Sequence, residues 1–385
     1  MAQLESGSRS GVTPGQSLEE VPTPSLVVDL DIVERNIATW QEVANRNGTK
    51  FRPHIKTHKI PEIAFMQEAA GAVGIAGAKP SELEVFVDAG CRNVVLAYPT
   101  VGSDKWARLA RMAHSATVTV NVDSEAEARG LSAAAALEDV TLKTQIEIDS
   151  GLNRCGFALE DYDQIAAFAR LLESLPGIEL DGITTHRGKF SERLSQMTND
   201  EAGHEEGQIL VDLAGKLRAD GIAIAEITAG GTITGRGVAE VPGVTEVRAG
   251  TCIFNDAMQV EFGAARAEDI AIFVLATVVS TRRAGWATID AGSKTFSGDR
   301  AVVGANIGRS AAVAPGLGID ANVMRITEEH GMVELGKGVR VEPGQKLRFT
   351  PFHACTAVNL SDELIGMRNG IVEKVWPVLA RGKRV

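Results

Sequence analysis

TLKTQIEIDSGLNRCGFALEDYDQIAAFARLLESLPGIELDGITTH, residues 141–186, reads as one unit of an alternating strand and helix pattern. TLKTQIEID (141–149) is a β-rich run that stops at Asp, an Ala/Leu/Glu-rich segment follows, and ELDGITTH (179–186) is the next run. Runs of this kind separated by segments of helical period signal a parallel sheet, because parallel neighbours need a crossover long enough to hold a helix. Outward from this unit the same alternation extends from about residue 25 to 265. After an opening SLVVDL, the other runs are FRPHIK (51–56), VGIAGA (73–78), NVVLAY (93–98), TVTVNV (117–122), IAEITAG (224–230) and VTEVRAG (244–250), which makes eight. That number over that length predicts an α/β fold of the (β/α)8 TIM-like barrel type. The segments between them carry helix caps. DLDIVERNIATWQEVANRNG (29–48) starts at an acidic turn and stops at Asn-Gly, and KPSELEVFVDAG (79–90) has Pro near its start and Gly past its end.

Beyond residue 266 the period changes to two. AIFVLATVVSTR (271–282), GWATIDAG (285–292), GMVELG (331–336), KLRFTPFHACTAVNL (346–360) and ELIGMRNGIVEKVWPV (363–378) predict a C-terminal antiparallel β domain whose last pair is a hairpin turning at Arg-Asn-Gly. The expected division is an N-terminal arm, 1–24, loose or packed on the β domain, a barrel over 25–265 and a β domain over 266–385.

Bulk composition excludes several function classes. With 385 residues, 44% hydrophobic and a net charge of −11, the chain has ample material for a core and no basic cluster to meet a nucleic-acid backbone. Four cysteines without a short-range pairing pattern argue against a disulfide framework and for a reducing cytoplasm. Neither a signal peptide nor an apolar run of membrane-spanning length is found, so a soluble protein is expected.

Function in such a barrel sits at the C-terminal ends of the strands, and these ends are polar. The first offers His54, Lys56, His58 and Lys59; the fifth Asp149 and then Gly151 to Arg154; the sixth Thr185-His186; the seventh Gly230-Gly231-Thr232; the eighth Arg248 and Gly250-Thr251. Residues 52, 54 and 56 share one side of the first strand. If that side faces inward, Lys56 is a buried amine with a lowered pKa, suited to Schiff-base chemistry, while Lys59 falls past the strand in solvent. A solvated surface lysine is the ordinary alternative for Lys56. Gly230, Gly231 and Thr232, completed by Gly250 and Thr251, offer backbone N–H groups and hydroxyls for a phosphate, although any tight turn can use such residues. His353 and Cys355, at i and i+2 of an apparent strand, would point the same way and reach one ion. Sulfur biases the choice to zinc, and two ligands leave positions open for water or substrate. Glu329-His330 and Asp256 are weaker candidates, and His114 and His204 read as surface.

Together RPHIKTHK (52–59), DSGLNRCGF (149–157), TTH (184–186), AGGT (229–232), EVRAG (246–250), EEHG (328–331) and PFHACTAVNL (351–360) resemble the fold-type III pyridoxal-phosphate enzymes. The similarity is closest to the branch holding D-threonine aldolase, D-serine dehydratase and the 3-hydroxy-D-aspartate enzymes. The resemblance implies that Lys56 binds the cofactor's aldehyde and takes the substrate α-proton. It also implies that Arg154 lies by the phenolic oxygen, that His186 lies beside the pyridine ring, that Arg248 faces the ring nitrogen, and that Gly230, Gly231, Thr232, Gly250 and Thr251 hold the phosphate. His353 and Cys355 match the metal pair, Zn2+ or another divalent ion such as Mn2+, that binds the β-hydroxyl. A homodimer acting on a small D-amino acid follows from the same likeness.

Cysteine rather than aspartate at the second metal position, and arginine at the ring nitrogen, favour dehydration to a 2-oxo acid and ammonia over retro-aldol cleavage to glycine and an aldehyde. Cys252 departs from relatives that carry tyrosine there. A non-catalytic cofactor-binding protein is the remoter alternative, one the C-terminal β domain and the metal pair argue against. A metal-dependent barrel hydrolase would need more strand-end ligands than His54, His186 and Asp149.

Overall fold

A computed structural model describes residues 8–189, 191–299, 302–303, 306–307 and 314–385. The chain forms two compact units. One comprises Ala38–Lys56, Pro61–Gly250 and Gly382–Val385; the other takes the N-terminal stretch through Ile37, Thr57–Ile60 and Thr251–Arg381. Strand β1 (Ser25–Asp29) is followed by helix α1 (Leu30–Asn47) and then by the barrel strands β2 (Lys50–Phe51), β3 (Ile75–Gly77), β4 (Asn93–Leu96), β5 (Thr117–Val122) and β6 (Leu142–Asp149). After a short β7 (Phe157–Ala158) come β8 (Ile178–Thr185), β9 (Glu226–Ala229) and β10 (Glu246–Val247).

The ring runs β2-β10-β9-β8-β6-β5-β4-β3 with every pair parallel, and β7 pairs outside it with the end of β6. It closes where His54 bridges Ala76 in parallel register, with Ile55 N–H donating to the Ala76 carbonyl at 2.8 Å. Each run expected from sequence contributes a ring strand. FRPHIK forms regular strand only at Lys50–Phe51, yet the Arg52 and His54 N–H groups still donate to the Val247 and Ala249 carbonyls at 3.0 and 3.1 Å, and Pro53, which has no N–H to give, accepts from Ala76 at 2.9 Å.

Strands β5 and β6 are buried on both faces, as parallel strands under helices must be. What they turn inward is polar. Arg248 on the end of β10 donates to Asn121 of β5 at 3.3 Å and to Gln145 of β6, strands that are not its neighbours, so these bonds cross the barrel interior. Glu246 accepts from Arg248 at 2.9 Å and from Arg52 at 2.8 Å, and Asn121 donates to Glu147 at 2.7 Å. Charges this deep persist only when paired. Burial opposes ionisation of Glu246, yet the two arginines hold its carboxyl below the usual range.

The second unit is built on a sheet in which β1 lies between β11 (Ile272–Ser280), to which it is antiparallel, and Glu363–Arg368, to which it is parallel. β12 (Trp286–Ile289) and Gly331–Leu335 extend the sheet beyond β11, and Lys346–Phe349 also pairs with β11. The closing hairpin, Glu363–Arg368 to Ile371–Pro377, turns at Asn369 and Gly370 with φ of 50° and 78°, the left-handed backbone that an Asn-Gly turn supplies. From Ser8 onward the N-terminal segment lies on this sheet. Gly15 and Leu18 N–H groups donate to the Val372 and Gly370 carbonyls at 2.8 and 2.9 Å, and Val12 and Val21 are buried with Val27, Phe273 and Ile365. No helix among the described residues is long and apolar enough to cross a membrane.

Candidate active site

Lys56 stands in the turn just past the last barrel bridge, His54 to Ala76, and is exposed. The expectation of a buried amine is corrected by this position, since the ladder ends two residues earlier and the lysine extends beyond the rim. Lys59 reverses its expectation as well. It is buried, with a φ of 58°, and its Nζ donates to the Ala380 carbonyl at 3.5 Å. The Lys56 amide donates to His54 Nδ1 at 3.3 Å, which fixes that imidazole against the turn.

Two half-buried histidines share the surroundings of the Lys56 amine. Burial, then the charges of Lys56 and Arg154, hold His186 down to about 3. Burial and the charges of Lys56, Arg248, His186 and Arg154 keep His54 well below the ordinary histidine value. Both imidazoles are therefore neutral at working pH. In the protein without cofactor, the unfolded chain binds protons at these positions below about pH 6.5 while the folded chain does not, so folding stability should fall as pH drops from about 6.5 toward 3. Denaturant unfolding across that range should show the decline, and His186→Gln should flatten part of it.

The glycine turn after β9 meets this cluster directly. A Cβ placed on Gly231 would lie 3.1 Å from His186 Cε1, and Gly230 has a φ of 80°. Arg154 is exposed on the loop after β6, with its guanidinium 3.7 Å from Glu147. That loop is wrapped by Asp149, which accepts from Gly151 and Asn153 N–H groups at 2.8 and 3.1 Å, and by Asp123, which accepts from Gly156 at 3.0 Å. Burial pushes the Glu147 carboxyl up to about 7 against the pull of Arg154 and Asn121. Arg248 is buried in the network described above, so its position is rigid.

His353 and Cys355 are not on a strand. Lys346–Phe349 ends before Pro351, His353 caps a helix at Ala354–Leu360, and Cys355 is that helix's second residue. Strand alternation therefore does not set their common direction; the helix start does, and it leaves the imidazole hydrogen-bonded to the thiol. Burial works against a charged His353, yet Cys355, Asp256 and Asp299 outweigh it and raise it to about 9. Asp299 Oδ2 lies 2.7 Å from His353 Nδ1, leaving Nε2 for a ligand. Cys355 Sγ is 3.3 Å from the hydroxyl of Thr57 and 3.7 Å from that of Thr251. The Thr251 hydroxyl thus faces the thiol rather than a phosphate. Asp256 caps Ala257–Glu261 through Gln259 N–H at 2.9 Å and accepts from Ala354 N–H at 2.8 Å, so it braces the His-Cys turn.

These residues pass a chemical test for both groups. A site with Lys56, Arg154 and Arg248 all acting on one imidazole is electropositive and suits an anionic cofactor with an aldehyde for the amine. An imidazole oriented by a carboxylate, beside a thiol, is a donor set for a divalent ion. Among the described residues no group of three or more His, Cys, Asp or Glu gathers at metal-binding distance. Asp299→Asn is expected to weaken metal affinity about 10- to 100-fold, read by competition with a chromophoric chelator.

The remaining candidates are surface features. Glu329 pairs with Lys294 at 2.6 Å on an exposed turn, and His114 and His204 pair with Glu138 and Glu240. Cys252 is buried in the short helix Thr251–Ile253. Sequence reasoning missed Asp299, 54 residues from its histidine partner, with no local pattern to mark it. Asp256, whose ordinary reading is a turn cap, does cap Ala257–Glu261, and its bond from Ala354 N–H is an addition that the sequence does not mark.

The chain is similar to known proteins over nearly its whole length. Residues 28–257 match the alanine racemase N-terminal domain family, and residues 271–367 match a putative serine dehydratase domain. D-threonine aldolase of Arthrobacter sp is 34% identical over 96% of this chain and 95% of its own length. D-threo-3-hydroxyaspartate dehydratase of Delftia sp. (strain HT23) is 32% identical over 88% of this chain and 92% of its own. The solved structure of a D-threo-3-hydroxyaspartate dehydratase with one cysteine changed to alanine, in the metal-free form, superposes with a TM-score of 0.84 at 28% identity, covering 94% of this chain and 98% of that one.

Proposed function

Because the chain belongs to the alanine racemase N-terminal domain family, with a putative serine dehydratase domain after the barrel, we propose that it is a pyridoxal-phosphate-dependent lyase of D-β-hydroxy amino acids, and specifically a zinc-assisted dehydratase. Its substrate is of the D-serine, D-threonine or 3-hydroxy-D-aspartate kind, and its products are a 2-oxo acid and ammonia. When bound, the cofactor acidifies the substrate's α-proton and the ion polarises the β-hydroxyl as a leaving group.

Lys56 would hold the cofactor and accept the α-proton, with His54 and His186 beside it as neutral groups. Gly231, Thr232 and the Gly250 turn would take the phosphate, while Gly230 shapes the turn. Arg154 would lie at the phenolic oxygen, and His353 and Cys355 would hold the ion. The observation that carries elimination is Arg248. With its guanidinium donating to Glu246, Asn121 and Gln145, it stays a cation that has no proton to give a ring nitrogen. A ring left unprotonated would be a poorer store of negative charge, which would favour elimination, since the β-hydroxyl would depart as Lys56 takes the α-proton, with an ion held by His353 and Cys355 supplying the Lewis acid.

Aldol cleavage is the second reading, favoured by the 34% identity to an aldolase. Incubation with D-serine, D-threonine and D-threo-3-hydroxyaspartate, with and without chelator, decides between them. Oxo acid that disappears on chelation supports dehydration, and glycine with an aldehyde moves the assignment to cleavage. A homodimer and a cytoplasmic location belong to the same proposal, to be checked by sedimentation and by fractionation.

A further inference from the structure

Beneath the glycine turn lies a carboxylate that the chemistry above does not use. Glu206, on the helix Asn199–Ala219, is fully buried. Its Oε1 accepts the Arg187 backbone N–H at 3.0 Å, its Oε2 accepts the Thr234 hydroxyl at 2.6 Å, and the Gly230 N–H also donates to it. Arg187 follows His186 at the end of β8, Gly230 opens the glycine turn, and Thr234 closes it. One carboxylate thus ties the histidine's strand end to both ends of the turn. The Gly230 N–H, expected to face an anion, instead points to Glu206, so Gly230 contributes shape and not a donor.

The surrounding sequence is built to bring this carboxylate close. A Cβ on Gly203 would lie 2.2 Å from the Thr234 carbonyl oxygen, and one on Gly237 would lie 2.3 Å from that of Asp200. A side chain at either position would push the long helix off the short helix Gly235–Ala239 and carry Glu206 away from its donors. Arg187 supplies the compensating charge. Its side chain is buried and is held by the Ala202 carbonyl at 2.6 Å and by Glu205 at 2.7 Å. Burial pushes the Glu206 carboxyl up, and its three donors and Arg187 pull against that.

We propose that Glu206 is a positioning residue for the phosphate of the cofactor, holding the 230–234 turn in the one shape that receives it. The inference rests on the reading of Gly231-Thr232 as the phosphate cup. It predicts a selective defect, because a residue that acts through the cup matters for the phosphorylated aldehyde and not for its phosphate-free counterpart.

The test titrates full-length protein, stripped of cofactor, with pyridoxal phosphate and separately with pyridoxal, following the yellow chromophore that each forms. Glu206→Ala should raise the Kd for pyridoxal phosphate about tenfold or more and leave that for pyridoxal within about twofold. Glu206→Gln should recover most of the loss, since its amide can still accept from Arg187 N–H and donate to the Thr234 oxygen. Thr234→Val should give a smaller loss of the same selectivity, and it carries the test if Glu206→Ala does not fold. Equal weakening toward both aldehydes, or no weakening toward either, overturns the proposal while leaving the Lys56 assignment intact. Wild-type protein that takes up neither aldehyde sinks the cofactor reading, and this inference with it.

Discussion

Lys56→Ala protein, purified and mixed with pyridoxal phosphate, is expected to stay colourless and to lose activity on the order of 10^4-fold, because one substitution removes both the attachment point and the base. The neighbourhood makes this a sharp expectation. Lys56 stands where two imidazoles are kept neutral partly by its own charge, and the second lysine of the motif, the buried Lys59, is directed to the Ala380 carbonyl. Small primary amines added to the variant should restore some turnover, as they replace the missing base without an anchor. A variant whose yellow colour borohydride bleaches while fixing the cofactor to the chain, or that retains a tenth of wild-type activity, would sink the assignment. Mass measurement after borohydride treatment reads attachment independently of turnover.

The second large effect is expected at the His-Cys turn. Chelation, or Cys355→Ala, should lower 2-oxo acid formation by about 10^2- to 10^3-fold or more, since a metal ion contributes several kcal/mol to stabilising a developing oxyanion or leaving hydroxide. The chromophore should remain, which separates this defect from that of Lys56→Ala. Restored activity on adding back Zn2+ to chelated wild type, but not to Cys355→Ala, completes the pattern. Cys355→Asp is the more discriminating change. It keeps an ion and exchanges a soft donor for a hard one, and it is expected to move product from oxo acid toward glycine. Oxo acid formation indifferent to chelator would remove the metal from the mechanism.

Much of this was legible in the sequence. The barrel strands show in the primary structure because short β-branched runs end in Gly, Asp or Asn where the chain leaves the sheet, with segments of helical period between them. The strand-end residues Lys56, His186 and Gly231 follow from that reading, since the side of a strand is fixed by parity. Where a ladder stops is not fixed by parity. Lys56 therefore proved exposed and Lys59 buried, each opposite to expectation, because the turn after His54 reorients everything beyond it.

KLRFTPFHACTAVNL misled for a related reason. Its apolar residues alternate, but Pro351 ends the strand and Ala354–Leu360 is helical, so His353 and Cys355 meet across a helix start. Partners distant in sequence, such as Asp299 with His353 or Glu206 with Arg187, leave no local trace. Only the folded chain brings them together.

The placement of Ser25–Asp29 between Ile272–Ser280 and Glu363–Arg368 has a consequence for biosynthesis. Leu26, Val27 and Val28 leave the ribosome long before either partner, meeting Ile272–Ser280 only after the barrel segment has been translated, with the Glu363–Arg368 side filled later still. The barrel can close while they wait, so the β unit is the last part to mature. A ribosome stalled before residue 363 leaves a sticky, half-paired ribbon, and nascent chains of that length should be the ones that chaperones capture.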